Sequence, residues 1–182
     1  MVAIVGRKNS GKTTLLVAVA AELRRRGVRV ASVKHGHHSF DIDHPGRDSW
    51  RHVHEGEVEA VLLLASGKLA MVMHLPGEEP SLEAMVSRHF GDRGYDVVLV
   101  EGFKQSPLPK IEVYRSQSAE SPLSSGSPAA IDGVIAVVTD DAHLAAGCRV
   151  IPLGAALPDA PHVHAVADLV METEMTREDD HA

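Results

Sequence analysis

The sequence predicts an α/β fold: a mostly parallel, twisted sheet flanked by helices, with one β-hairpin inserted. Three observations carry this reading. The apolar run "VAIV" at 2–5 ends in a glycine-containing stretch, after which Leu16, Val19, Ala20 and Leu23 recur at the spacing of one helix face. A second apolar run, "VRVASV" at 28–33, follows that helix after Gly27 alone, and so short a link after a crossover helix implies a parallel neighbour. Further buried-type runs then recur along the chain, separated by polar segments.

Taken in order, strand 2–5 and its loop lead into the first helix, which "RRR" at 24–26 closes, since cations suit the negative helix end and Gly27 suits the position just beyond it. Strand 28–33 runs into a long loop, "KHGHHSFDIDHPGRDSWRHVHEGE", too poor in apolar residues for a central strand, with a short helix from about Asp48 to Glu55. "VEAVLLLAS" and "KLAMVMHL" flank a Ser66-Gly67 turn signal and form the predicted hairpin. Ser81 caps a helix that presents Leu82, Met85, Val86 and Phe90 on one face and ends at Gly91. "DVVLVEGF", "KIEVYR", "GVIAVVTDD" and "CRVIPL" read as strands, "SQSAESPLSSGSP" as a surface loop, and Val163, Val166, Ala167 and Val170 mark a closing helix. The expected organisation is one nucleotide-binding domain over 1–171 and a frayed acidic tail over 172–182.

Composition narrows the function. The chain has 182 residues, the size of one domain with its own core. A formal charge of −7 and 3% aromatics argue against binding a nucleic-acid backbone or stacking its bases. Cys148 stands alone, so no intrachain disulfide forms, and no apolar run approaches the roughly 20 residues of a bilayer-spanning helix. No secretory leader is evident at "MVAIVG", and a cytoplasmic location without membrane attachment is expected.

The chemistry concentrates in "GRKNSGKTT", residues Gly6, Arg7, Lys8, Asn9, Ser10, Gly11, Lys12, Thr13 and Thr14. Glycines at the first and sixth places let successive backbone N–H groups converge on phosphates, the following lysine reaches the β and γ groups, and the next hydroxyl ligates Mg²⁺. The stretch lies between a predicted strand and a predicted amphipathic helix, whose start adds its positive dipole end. Such a site also wants a carboxylate at the carboxyl end of a neighbouring parallel strand. "DVVLVEG" offers Asp96 and Glu101, about 16 Å apart at ~3.3 Å per residue, so only one of them serves. Glu101 is at the correct end; Asp96 belongs at the start of the strand.

Lys34, His35, His37, His38, Asp41, Asp43 and His44 follow the second strand and are expected at the same edge. Asp43 is a candidate to hold Mg²⁺ through water, and Lys34 and Arg47 to contact phosphates or a second anion. Six of the twelve histidines fall within 35–54, which raises a metal-binding reading, although the H-x-H-H run alternates direction in an extended loop. Lys104, Lys110 and Arg115 are candidates for a small anion-binding rim. Asp140, after a strand at the same edge, is placed to read a base, but no N-K-x-D stretch is present and base identity does not follow.

"GRKNSGKTTLL", "VKHGHHSFDIDHPGRDSWR", "DVVLVEGFK" and "PKIEVYR" together resemble the MobB family of molybdopterin-guanine dinucleotide biosynthesis adapters, from Met1 to about Arg115 and more weakly to Asp141. The resemblance implies a P-loop NTPase, a homodimer that binds GTP with Mg²⁺ and hydrolyses it weakly. It also implies a partner, the guanylyltransferase that joins GMP to molybdopterin, with molybdopterin or its cofactor product as a further ligand. By motif, Gly11, Lys12, Thr13 and Thr14 serve phosphates and Mg²⁺, Glu101 matches the acid of an E-G-F-K stretch, and Asp43, Arg47, Asp48 and Ser49 match a D-x-P-G-[KR]-D-S loop. Arg47 stands where Lys is common in that loop. The alternatives are a small-molecule kinase or other phosphotransferase, and a nickel or zinc metallochaperone GTPase using the His-rich loop. A kinase wants an Arg-rich lid, whereas Arg24 to Arg26 lie ~20 Å along the first helix from the phosphates at about 1.5 Å per residue.

Overall fold

The structure, a computed structural model, describes residues 1–36, 44–125, 130–154 and 160–179, with side chains to 176. The described chain forms two compact units, one of Met1–His35 with Phe90–Ala182 and one of Gly36–His89.

The larger unit holds a six-stranded sheet, every pairing parallel, in the order β2-β5-β1-β6-β7-β8. Its strands are β1 (Val2–Gly6), β2 (Val30–Lys34), β5 (Val97–Glu101), β6 (Lys110–Tyr114), β7 (Val134–Thr139) and β8 (Arg149–Pro152). Helix α1 (Lys12–Arg25) follows β1, and α4 (Pro161–Asp179) follows β8. The predicted parallel sheet is present, but β2 does not lie beside β1. β5 sits between them, bonded to β2 from Val30↔Val97 to Lys34↔Glu101 and to β1 from Val2↔Leu99 to Ile4↔Glu101.

Alternation along the central strands divides their side chains. Val2, Ile4, Val97, Leu99, Ile111, Val113, Ala136 and Val138 join Leu15, Val19 and Leu23 of α1 and Val163, Val166 and Val170 of α4 in one buried cluster. Ala3, Val5, Val98, Val100 and Val137, on the opposite pleat, are buried as well. Strands covered on both faces read as continuous apolar runs, which is why these were legible as strands but not as to order. Glu22 of α1, also buried, accepts hydrogen bonds from Arg25 and Arg26, and Arg26 reaches Asp168 of α4 at 2.5 Å. α4 runs past Glu172, where the composition favours fraying, to Asp179. The Met1 ammonium pairs with Glu174, and the Thr173 and Thr176 hydroxyls bond carbonyls one turn back.

Lys110 is not part of a surface rim. It is 1% exposed, and its Nζ donates to the carbonyls of Ser106 at 2.5 Å, Leu108 at 3.0 Å and Asp132 at 2.8 Å. Burial lowers its pKa from the ordinary lysine value, with Asp132 acting in the opposite sense. The lysine thus ties the β5–β6 connection to the start of β7. Buried Glu112 in the same strand accepts the backbone N–H groups of Leu123 and Ser124 and fixes the segment after β6.

In the smaller unit, α2 (Asp48–His54), the hairpin of β3 (Ala60–Ala65) and β4 (Lys68–Met73), and α3 (Leu82–Phe90) follow in order. The Ser81 hydroxyl accepts the Ala84 N–H at 3.2 Å, the predicted cap. Trp50 stacks on His54 with centroids 4.3 Å apart, which serves α2 itself. The hairpin pairs Leu62 with Met71 and Leu64 with Leu69, so these four project from one face, and all four are exposed.

Candidate functional site

The loop between β1 and α1 is shaped by two positions that no ordinary residue fills. Gly6 has φ +148°, and a Cβ there would lie 2.5 Å from the Val113 carbonyl oxygen and 2.7 Å from Ser10 Oγ. Gly11, with φ +99°, takes the left-handed conformation at the head of α1, where no side chain caps the helix and no acid occupies the first turn. The first-turn N–H groups, orphaned by helix geometry, are therefore offered to an anion. Gly6→Ala is expected to lower stability by about 2–3 kcal/mol, since the added methyl meets backbone in a strained conformation. Chemical denaturation checks it, and an unchanged midpoint would mean that the loop adapts.

Within the loop, Arg7, Lys8 and Asn9 are exposed, and Asn9 adopts a left-handed φ of 62°. Ser10 is 1% exposed with no hydrogen-bond partner for its hydroxyl among the described residues. The Lys12 ammonium turns back onto the Arg7 carbonyl at 2.6 Å. Burial lowers its pKa from the ordinary lysine value, Glu101 opposes that, and the neighbouring Lys104 and Lys34 reinforce it.

Glu101 ends β5 with its side chain 11% exposed. Thr13 Oγ1 lies 2.9 Å from both of its carboxylate oxygens, and Lys34 Nζ lies 3.4 Å from Oε1. A hydroxyl and a carboxylate this close are hard oxygen donors of the kind Mg²⁺ takes, beside a loop suited to phosphate, so the residues fit a Mg²⁺-nucleotide. Lys34 and Lys12 both act on the Glu101 carboxylate and Lys104 is a further cation near Lys12, so positive charge gathers at this edge and favours an anionic ligand. His35 donates its backbone N–H to the Glu101 carbonyl at 3.0 Å and sets its ring 4.5 Å from that of Phe103, whose φ is 53°.

Asp96 is at the other end of β5, where its Oδ2 accepts the Arg29 N–H at 2.7 Å. Asp140, just past β7, has both oxygens engaged: Oδ1 accepts the Ser116 N–H at 2.8 Å and Oδ2 accepts from Arg115 Nε at 2.7 Å. These bonds lower its pKa below the ordinary carboxylate value, the Ser116 bond most. Arg115, offered by the sequence only as a rim cation, is thus the group that aims Asp140. Arg47 heads α2 in the smaller unit, its carbonyl accepting the Arg51 N–H. Asp43, like His37, His38 and Asp41, lies outside the described residues. Thr14 is exposed in the first turn of α1. Among the described residues no three His, Cys, Asp or Glu side chains converge to hold a metal. Nor is any described helix long and apolar enough to cross a membrane.

A glycine-shaped loop between a central parallel strand and a helix, with lysine and threonine at the helix start and an acid on the adjoining strand, defines a P-loop nucleotide-binding fold. The chain belongs to the MobB family: the family model for "Molybdopterin guanine dinucleotide synthesis protein B" matches residues 1–140. The chain is 38% identical over 140 residues to a molybdopterin-guanine dinucleotide biosynthesis adapter protein of Haemophilus influenzae, covering 77% of this chain and 74% of that one. It is 31% identical over 173 residues to the protein of the same name from Escherichia coli, covering 94% and 91%. The crystal structure of a MobB homolog from Bacillus stearothermophilus superposes with a TM-score of 0.67 at 24% identity, covering 94% of this chain and 97% of that one, a likeness of fold.

Proposed function

We propose that this chain is a GTP-binding adapter with weak GTPase activity that assists a guanylyltransferase in attaching GMP to molybdopterin. The observation that carries the reading is the Thr13 hydroxyl 2.9 Å from both Glu101 oxygens, beside Lys12 and the open start of α1. Lys12 and the N–H groups of the loop would bind the phosphates, with Arg7, Lys8, Asn9, Ser10 and Thr14 framing them. Thr13 and Glu101 would hold Mg²⁺, and His35 would supply a further polar contact to the nucleotide, while Asp43 and Arg47 are candidates on the resemblance of their loop alone. Mg²⁺, when bound, draws charge from the β and γ phosphates. Asp140, aimed by Arg115, is the candidate to accept the N1–H and N2–H donors that distinguish guanine from adenine. Weak hydrolysis is the expectation that the MobB resemblance carries.

The adapter role comes from the family and from the names its relatives bear. A homodimer is supported by the exposed apolar face of the hairpin, since four neighbouring large side chains left in water are costly unless covered. A cytoplasmic setting suits a nucleotide-dependent role. The test is calorimetric titration of the metal-stripped protein with GTP and with ATP, each with and without Mg²⁺. A Mg²⁺-dependent GTP preference at one site per chain supports the reading; equal or better ATP binding overturns it in favour of a phosphotransferase. Light scattering that gives the mass of one chain would remove the dimer.

A further inference from the structure

Lys34 and Glu101 are register partners at the carboxyl ends of β2 and β5, so their side chains leave the sheet on the same face. Only 3.4 Å separates the ammonium from the carboxylate, and the same carboxylate meets the Thr13 hydroxyl. The acid suited to a divalent cation therefore has a monovalent one as its counter-ion. Lys34 is 66% exposed on a flexible four-carbon stem, so its ammonium relocates at little cost, in contrast to the enclosed Lys110. The register also keeps it there: the next residue, His35, is bonded through its N–H to the Glu101 carbonyl.

We propose, building on the Mg²⁺-nucleotide reading above, that Lys34 determines specificity for a triphosphate over a diphosphate by coupling metal binding to recognition of the terminal phosphate. With a divalent ion held by Thr13 and Glu101, the Lys34 ammonium would no longer be needed as the carboxylate's counter-ion and would be repelled from it. The released ammonium would then pair with the γ-phosphate, the terminal group of a triphosphate, which a diphosphate lacks. Lys12 does not duplicate this role, because it rises from the start of α1 and its ammonium is hydrogen-bonded to the Arg7 carbonyl of its own loop, whereas Lys34 is the lysine in ion-pair contact with the acid. The expectation is that the two ligands stabilise each other through one movable charge, a coupling that must be reciprocal at equilibrium.

The experiment titrates the full-length, metal-stripped protein with GTP and with GDP by calorimetry, with and without Mg²⁺, for the wild type, Lys34→Met and Lys34→Arg. With Mg²⁺, Lys34→Met should weaken GTP binding by about tenfold and GDP binding by less than about twofold, the size of one charge-assisted hydrogen bond lost from one ligand only. Lys34→Arg, which keeps the charge, should retain most of the discrimination. Without Mg²⁺ the GTP penalty of Lys34→Met should shrink, because in the wild type the ammonium then stays on Glu101. Equal losses for GTP and GDP, or a GTP penalty independent of Mg²⁺, would mark Lys34 as structural and overturn the inference alone. A wild type that binds neither nucleotide removes the nucleotide-site reading, and this inference with it.

Discussion

Lys12→Ala is expected to weaken nucleotide binding by at least about 100-fold while the protein stays folded. The size follows from the lysine's task, since an ammonium that bridges two phosphate groups makes more than one charge-assisted hydrogen bond, each worth about 1.5–3 kcal/mol. The fold should persist because the side chain makes one hydrogen bond, to the Arg7 carbonyl in its own loop, and contributes nothing to the buried cluster. That carbonyl is at the surface and water replaces the lost donor. Calorimetry together with circular dichroism separates the two effects. A well-folded variant that binds as tightly as the wild type would remove the loop from the site.

The second large effect is expected at Glu101. Glu101→Gln keeps the shape and the contact with Thr13 but removes the charge, so the gain in affinity that Mg²⁺ brings should fall by about tenfold or more. Asp96→Asn serves as the internal comparison, being the other acid of the same strand. It should leave the Mg²⁺ dependence intact and cost stability instead, about 1 kcal/mol, because its Oδ2 accepts the Arg29 N–H where β2 and β5 begin. Titrating both variants over a range of Mg²⁺ concentrations tests the pair. Were Asp96→Asn the more damaging to the metal dependence, the assignment of the acid to the carboxyl edge of the sheet would fail.

Both variants act on residues that the sequence already singled out, and the reason is geometric. A phosphate loop is a local object: Gly6 through Thr14 are consecutive, and the chemistry of their types says what the backbone does. Glu101 was legible because strand direction decides which end of an apolar run faces the site. Arg115 was not, because its value depends on Asp140 and Ser116, reached by pairing β6 with β7. Lys110 misled for a related cause. Its charge reads as surface until the turn at Ser106 and Leu108 and the approach of Asp132 supply three carbonyls around it.

The sequence by itself determined the α/β class, the phosphate loop, the hairpin about Ser66 and Gly67, the cap at Ser81 and the family, all of which rest on the types and order of residues along the chain. Only the tertiary structure decided that β5 lies between β1 and β2. That one placement sets Glu101 beside both Thr13 and Lys34, residues 88 and 67 positions away in the chain. Apolar runs buried on both faces carry no mark of which neighbour they will bond. Strand order is settled by how the helices and connections of the whole unit bury their surfaces together, and the charges at the sheet edge acquire their partners only then.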